Sequence, residues 1–421
     1  MSDVGSAIPP FRLTLLAAVP YHFPLQSRNQ QLATELARQG ISVCYVAPPT
    51  PRAMLRHWRA PWRERRAGPI RLVWPWPQPP LRWQLALGLT DWIARVQAAR
   101  IGVPSDADVP HVVCVTTPLW QPVCTRLARD LLIYDCLDDP AVHARRGQEE
   151  LYASWHAESA RAADVVVTVS PYLSERVRAL TERPVVVCGN GVDLAAFSPD
   201  AVAHGLAPHL CAGLSPDAYT WLDWRRRHPN LPVAGFLGSI DRWVDTQLVA
   251  LAARALPDVQ FVLAGPPRRR EYLAPLAGCG NVHVLGPVPY ATVPAFLTTF
   301  DVGLIPFHPG LIAACADPLK TYEYCALGKP VVSSVQFALD DPAAPIRVAT
   351  AAQAFVEAIR EALDDRDPRQ QVARIGFARR HAWSARATEF RSIIEKHLAL
   401  TRPAAPTSTR VAERQPSPNR R

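Results

Sequence analysis

Lys320 and Glu323 stand three positions apart in the stretch DPLKTYEYCALGKPVVSS, and their chemistry depends on what holds them. Asp317 followed by Pro318 reads as a helix start: an Asp side chain accepts from free backbone N–H groups, and Pro at the first helical position wastes none. Gly328 supplies a left-handed stop and Lys329-Pro330 forbids continuation, so the spacing predicts a helix of about ten residues, roughly 15 Å long. On it the two charges share one face, with Lys320 in the first turn beside the positive end of the helix dipole. A cation and unsatisfied N–H groups there can hold a diphosphate, and a carboxylate one turn further on can accept from two sugar hydroxyls. An isolated K-x-x-E would read instead as a solvated surface pair. Its setting from Asp301 to Ser334, a strand Val302–Ile305, a long loop, the helix and a second strand Val331–Ser333, favours the binding reading.

Two further groups place ionisable chemistry beyond strand ends. Leu132–Asp135 reads as a buried strand leading into Asp138 and Asp139, which either orient or deprotonate an acceptor hydroxyl or cap the following helix. The loop Pro20–Gln26 follows a first strand, Phe11–Val19, and carries Tyr21 and His22; the histidine is either catalytic or a solvated loop side chain. A metal is not expected. Of the two D-x-D strings, Asp106-Ala-Asp108 precedes a strand and Asp365-Arg-Asp367 lies in a late helical linker, so neither stands at a strand's carboxyl end.

These groups need a scaffold, and the pattern supplies α/β units. The first strand, a helix from Arg28 to about Gln39 with Ser27 before it and Gly40 after it, and a strand Ile41–Ala47 make a parallel opening unit. Its loop lies at the carboxyl edge, where doubly wound folds bind ligands. His111–Thr116, Asp164–Ser170, Val185–Cys188, Val233–Leu237 and Gln260–Ala264 read as further strands. Ser198 to about Pro232 reads as an interdomain connection, Trp383–Leu400 as an amphipathic helix, and Thr401–Arg421 as disordered.

At 421 residues, 48% hydrophobic and 20% charged, the chain fits two domains with full cores. Nine cysteines without a CxxC pair argue against a disulfide framework or a zinc site. No apolar run reaches the ~18 residues of a membrane span, and Met-Ser-Asp opens no signal-peptide pattern, so a cytoplasmic location is expected. The net charge of +9 suits an anionic partner. Nucleic acid is not expected, because the basic residues are mostly dispersed and no binding module is recognisable. The dense segment is Arg52–Arg66, six arginines and one glutamate in fifteen residues, interleaved with Trp58 and Trp62. It fits an anionic membrane face or a lipid-linked acceptor, or else a solvated arginine face over tryptophan packing.

Glu323-Tyr-Cys-Ala-Leu-Gly-Lys-Pro-Val-Val resembles the E-A-x-A-x-G-x-P-V-V signature of the donor domain of GT-B glycosyltransferases of the glycosyltransferase 4/1-like superfamily. Pro318-Leu-Lys-Thr-Tyr-Glu-Tyr resembles the P-x-K-x-Y-E-Y variant of bacterial surface-polysaccharide enzymes such as the teichuronic acid transferases. Tyr134-Asp-Cys-Leu-Asp-Asp is similar to the Y-D-x-x-D-D run of that group, and Asn190-Gly-Val-Asp to its N-G-V-D segment. The resemblance implies an α/β GT-B fold, two Rossmann-like domains with parallel sheets facing a central cleft. Residues 1–200 would form the acceptor side and 201–382 the donor domain, with 383–400 a helix returning to the first domain and 401–421 a tail. It further implies that Glu323 holds the donor ribose, that Gly238, Ser239 and Arg242 face the donor diphosphate, and that Val288 lies against the base. Gly265, Pro318, Lys320 and Thr321 complete the implied donor site, with Lys320 its main cation. Many members carry another Glu eight positions before Glu323, where this chain has Cys315. The implied activity is transfer of a sugar from a UDP-linked nucleotide-sugar co-substrate to a glycan or lipid-linked acceptor in bacterial surface-polysaccharide synthesis. Retention at the anomeric carbon is implied as well, with no metal and no other cofactor. A non-catalytic sugar-nucleotide-binding or scaffold protein, prompted by Cys315, and a nucleotide-sugar 2-epimerase are the alternatives.

Overall fold

The computed structural model describes residues 11–23, 26–48, 65–75, 78–102, 108–139, 144, 147–203 and 213–401. Most of Arg52–Arg66, Asp106 and the tail beyond residue 401 lie outside the described residues.

Among the described residues eight strands make a first sheet: β1 (Arg12–Leu16), β2 (Ser42–Val46), β3 (Arg65–Ala67), β4 (Ile70–Val73), β5 (His111–Val115), β6 (Leu131–Cys136), β7 (Val165–Thr168) and β8 (Val185–Val187). They lie in the order β3-β4-β2-β1-β5-β6-β7-β8. Six make the second: β9 (Val233–Leu237), β10 (Gln260–Ala264), β11 (Val282–Gly286), β12 (Val302–Ile305), β13 (Val331–Ser333) and β14 (Ile346–Val348), in the order β11-β10-β9-β12-β13-β14. Helices cover both faces of such sheets, so central strands such as β5 and β7 are buried at every residue and apolar except for His111 and Thr168 at their ends.

In the first sheet β1 lies between β2 and β5, and in the second β9 lies between β10 and β12. At these two places the strand order reverses, and ligands of open α/β sheets gather beyond the carboxyl ends there. The expectation of purely parallel sheets needs one correction. β3 and β4 pair antiparallel across Gly68-Pro69, because so short a connection can join only antiparallel neighbours.

The helix Trp383–Thr401 packs on the first domain, where Trp383, Ala387, Phe390, Ile394 and Leu398 join Leu13, Leu32 and Leu36 in one core. The stretch read as an interdomain connection holds a helix, Pro216–Arg227, capped by Ser215, whose Oγ accepts from Ala218 N–H. Ala218 and Trp221 are buried in the second core, and Trp221 stacks on Trp224 with centroids 5.0 Å apart. Ser-Pro-Asp is itself a helix-start signal, and two tryptophans at i and i+3 give the helix an apolar face; both outweigh the Pro, Gly and His content around it. The eight described cysteines are free thiols.

Candidate active site

Beyond β12 the chain passes through Pro306 and Phe307 into a helix Leu311–Cys315 and then a helix Leu319–Ala326. The second helix has eight residues rather than ten, and Pro318 is its cap, without a side-chain hydrogen bond. Asp317, read as the cap, turns to the domain junction. Its Oδ2 accepts from Asn190 N–H, its Oδ1 accepts from the Tyr322 hydroxyl at 2.7 Å, and Asn190 Nδ2 donates to the Asp317 carbonyl at 2.7 Å. A buried carboxylate must find donors, and the junction offers better-enclosed ones than a frayed first turn. Burial still raises the Asp317 pKa to about 6.

Lys320 stands in the first turn, its Nζ 5.2 Å from the ring centroids of both Phe236 and Phe307. A Cβ on Gly238 would come 3.4 Å from that Nζ, and a Cβ on Gly265 would fall 1.9 Å from the Gly238 carbonyl oxygen. Gly238 has φ +148° and Gly265 φ +152°, so the ends of β9 and β10 close on each other in a way only glycine permits. Glu323 follows one turn on. Among the described residues neither charge has a hydrogen bond or an ion pair. Burial pulls the ammonium down and pushes the carboxylate up, each opposed by the other's charge. Two ring faces and one carboxylate a turn away leave the ammonium short of counter-charge, the state that favours an incoming anion.

The first domain closes on this helix. Leu319 packs on the first core, as does Tyr21. Gln31 Nε2 donates to the Tyr290 hydroxyl at 3.1 Å, and that hydroxyl's pKa is pushed up by burial and then by Glu323. His22 is exposed and lies edge-on to Tyr21, centroids 5.4 Å apart. Asp139 is buried and accepts from Arg176 Nε at 3.2 Å and Nη2 at 3.0 Å; Asp138 is half-buried. The next described helix, Glu149–Ala162, is capped by Gln148, so neither aspartate caps it. Asp135, the third acid of that run, is bound to Arg28, whose Nε donates at 2.9 Å, while Arg28 Nη1 donates to the Gly189 carbonyl at 2.7 Å.

Asp138 and Asp139 meet the second domain at Cys315. Ser170 Oγ donates to its carbonyl at 2.9 Å, and the thiol, with no exposed surface, is pushed up to about 11 by burial and then by Asp139. The position where a second Glu is usual is therefore closed by the first domain, beside two carboxylates that would disfavour a third.

Of the remaining expected residues, Ser239 Oγ donates to the Pro266 carbonyl at 3.4 Å, and Arg242 is exposed, with its backbone N–H bound to Asp241 at 2.7 Å. Thr321 has a buried hydroxyl with no partner among the described residues, and Val288 is buried in the second core. Asp365 accepts from Arg374 Nη1 at 2.9 Å and Asp367 caps the helix Pro368–Arg380, so the later D-x-D string serves its own loop. The structure thus gathers Gly238, Gly265, Lys320 and Glu323 where β9 and β12 diverge, and Asp138 and Asp139 at Cys315. Sequence reasoning missed Phe236, Phe307 and Tyr290. Phe236 could have been found two positions before Gly238, and Phe307 directly after the Pro that ends β12.

Two family models match successive parts of the chain: Glycosyltransferase Family 4 over residues 26–196, and Glycosyl transferases group 1 over residues 232–365. TuaH of Bacillus subtilis (strain 168), which is named as a teichuronic acid biosynthesis glycosyltransferase, is 32% identical over 104 residues, 24% of this chain. That match spans 26% of TuaH's own length. Among solved structures, sucrose-phosphate synthase from Thermosynechococcus elongatus is similar with a TM-score of 0.69 at 16% identity, over 93% of this chain and 100% of that one. Anabaena HepE in complex with UDP and glucose is similar with a TM-score of 0.58 at 14% identity, over 91% and 99%. At such identities the likeness is one of fold. Two Rossmann-like domains with the two family matches in their expected order make this chain a member of the GT-B glycosyltransferases of the glycosyltransferase 4/1-like superfamily.

Proposed function

We propose that the chain is a cytoplasmic glycosyltransferase that moves a sugar from a UDP-linked donor to a glycan or lipid-linked acceptor in bacterial surface-polysaccharide synthesis, with retention and without a metal. The observation that carries this reading is Lys320, a cation held between two rings at a helix start with no anion bound to it. As the glycosyl–phosphate bond breaks, negative charge grows on the departing diphosphate, and the ammonium with the free N–H groups of the first turn stabilises it. Glu323, one turn on, accepts from the ribose hydroxyls, and the bare backbone at Gly238 and Gly265 lets the diphosphate come close. Asp138, Asp139 and His22 belong to the acceptor side, where a carboxylate or imidazole takes the hydroxyl proton.

The UDP in the HepE complex supports the choice of nucleotide, and TuaH's name supports the choice of pathway. The engagement of Asp365 and Asp367 within their own loop supports a leaving group stabilised by Lys320. A non-catalytic role draws no strength from Cys315, because the first domain shuts that position whatever the residue. The test is a thermal-shift panel of UDP, GDP, ADP, CMP and dTDP on wild type and Glu323→Ala. A ligand at about a hundred times its Kd adds roughly 2.7 kcal/mol, a rise of several degrees. A shift by UDP that Glu323→Ala abolishes is expected; no shift from any nucleotide refutes the donor site.

A further inference from the structure

Eleven large hydrophobic side chains are exposed among the described residues, and four of them, Trp83, Leu85, Leu87 and Trp92, fall within ten positions. They sit on the helix Leu81–Ala86, the turn after it and the helix Thr90–Ile101. Both helices already have an inward face: Gln84 on the first, and Ile93, Ala94, Gln97 and Ile101 on the second. The outward tryptophans and leucines, 43 to 66% exposed, are therefore surplus to folding. Arg82 lies over the Trp83 ring at 5.7 Å, and Arg95 is exposed. Asp91, the one acid between them, is bound by both Arg95 and Arg126.

Indole, isobutyl and guanidinium groups exposed within fourteen positions on two successive helices match the interfacial layer of a bilayer, where tryptophan prefers the headgroup level and arginine meets phosphate. A second copy of the chain fits less well, since a two-fold contact would bring together two copies of the same arginine-bearing patch in a chain of net charge +9. The same two helices also wall a pocket of about 670 Å³ lined by Leu81, Ile93, Leu119, Trp120, Tyr152 and Trp155. Arg82, Gln84 and Gln148 line it as well, and Trp120 Nε1 donates to the Ala17 carbonyl at 2.9 Å, which sets this mixed pocket at the carboxyl edge of the first sheet. Among the described residues no helix is long and apolar enough to cross a membrane.

We propose that Trp83, Leu85, Leu87 and Trp92 dock this chain on a bilayer surface with anionic headgroups, Arg82 and Arg95 facing the lipid phosphates. The inference stands apart from the donor site. It is tested by flotation of the full chain with phosphatidylcholine vesicles and with vesicles that also contain phosphatidylglycerol, using wild type, Arg82→Glu, and the triple variant Trp83→Ala, Leu87→Ala, Trp92→Ala. Wild type floats with the anionic vesicles and less with the neutral ones, Arg82→Glu narrows that difference, and the triple variant loses roughly a hundredfold or more in partitioning, since each buried side chain of this size is worth about tenfold. A circular dichroism spectrum and Tm of the triple variant like those of wild type show that its fold is intact. Failure of wild type to float with anionic vesicles overturns the proposal, as does a triple variant that floats like wild type. A stable dimer that the triple variant dissolves overturns it in favour of a contact between copies.

Discussion

Replacing Lys320 by methionine separates what that residue does for the fold from what it does for the reaction. In the free protein the ammonium has two ring faces at 5.2 Å and no ion pair. Such contacts contribute about 0.5–1 kcal/mol each where partly exposed. Desolvation opposes them and is the largest influence on the group, drawing its pKa down. Each unit of that lowering costs about 1.4 kcal/mol while the charge is kept. Methionine has similar length, keeps contact with Phe236 and Phe307 through a polarisable sulfur, and carries no charge to desolvate. Lys320→Met is therefore expected to leave the free protein as stable as wild type or more so, by up to about 1–2 kcal/mol, a rise of a few degrees in Tm. Turnover should move the other way and fall by about 10²–10³, the loss typical of one positioned electrostatic donor. Scanning calorimetry without ligand and initial rates with a UDP-sugar read the two effects. A free-protein Tm several degrees below wild type, or a kcat within about threefold of it, refutes the assignment.

Two more substitutions test the junction. Asp317 has its pKa raised from 3.8 to about 6 in the fold, so the folded state binds more protons in that interval; its contribution is fully present below about pH 4 and is lost as pH rises through 6, on the order of 2–3 kcal/mol at most. Asp317→Asn can still accept from Asn190 N–H and can donate to Tyr322, so urea midpoints compared between about pH 4 and pH 7 should vary less than in wild type, and an unchanged slope would exclude Asp317 as the source. Cys315→Glu forces a carboxylate into a position with no exposed surface beside Asp139, and should destabilise by about 3 kcal/mol without tightening donor binding. Tighter UDP-sugar binding in that variant, measured by calorimetric titration, would mean that position 315 opens towards the donor.

The sequence by itself determined what depends on near neighbours in the chain. Proline at 318 and 330 and glycine at 328 delimit the helix to within a residue or two, and the three-residue spacing sets Lys320 and Glu323 on one face. Apolar runs of three to five residues mark β5, β7, β9 and β12, because a strand buried on both faces has few polar positions to spare. One such local signal, Ser215-Pro216, was legible and was outweighed by composition. What the tertiary structure decided are the partners. Asp317 takes its backbone donor from Asn190, 127 positions away, rather than from the first turn of the helix it precedes. Phe236 on β9 and Phe307 beyond the end of β12 flank Lys320, and Ser170 with Asp139 closes the pocket in which Cys315 sits. Periodicity states which face of an element is buried, but the neighbour that buries it is chosen only when two sheets and their helices pack, and a charge takes its properties from that neighbour.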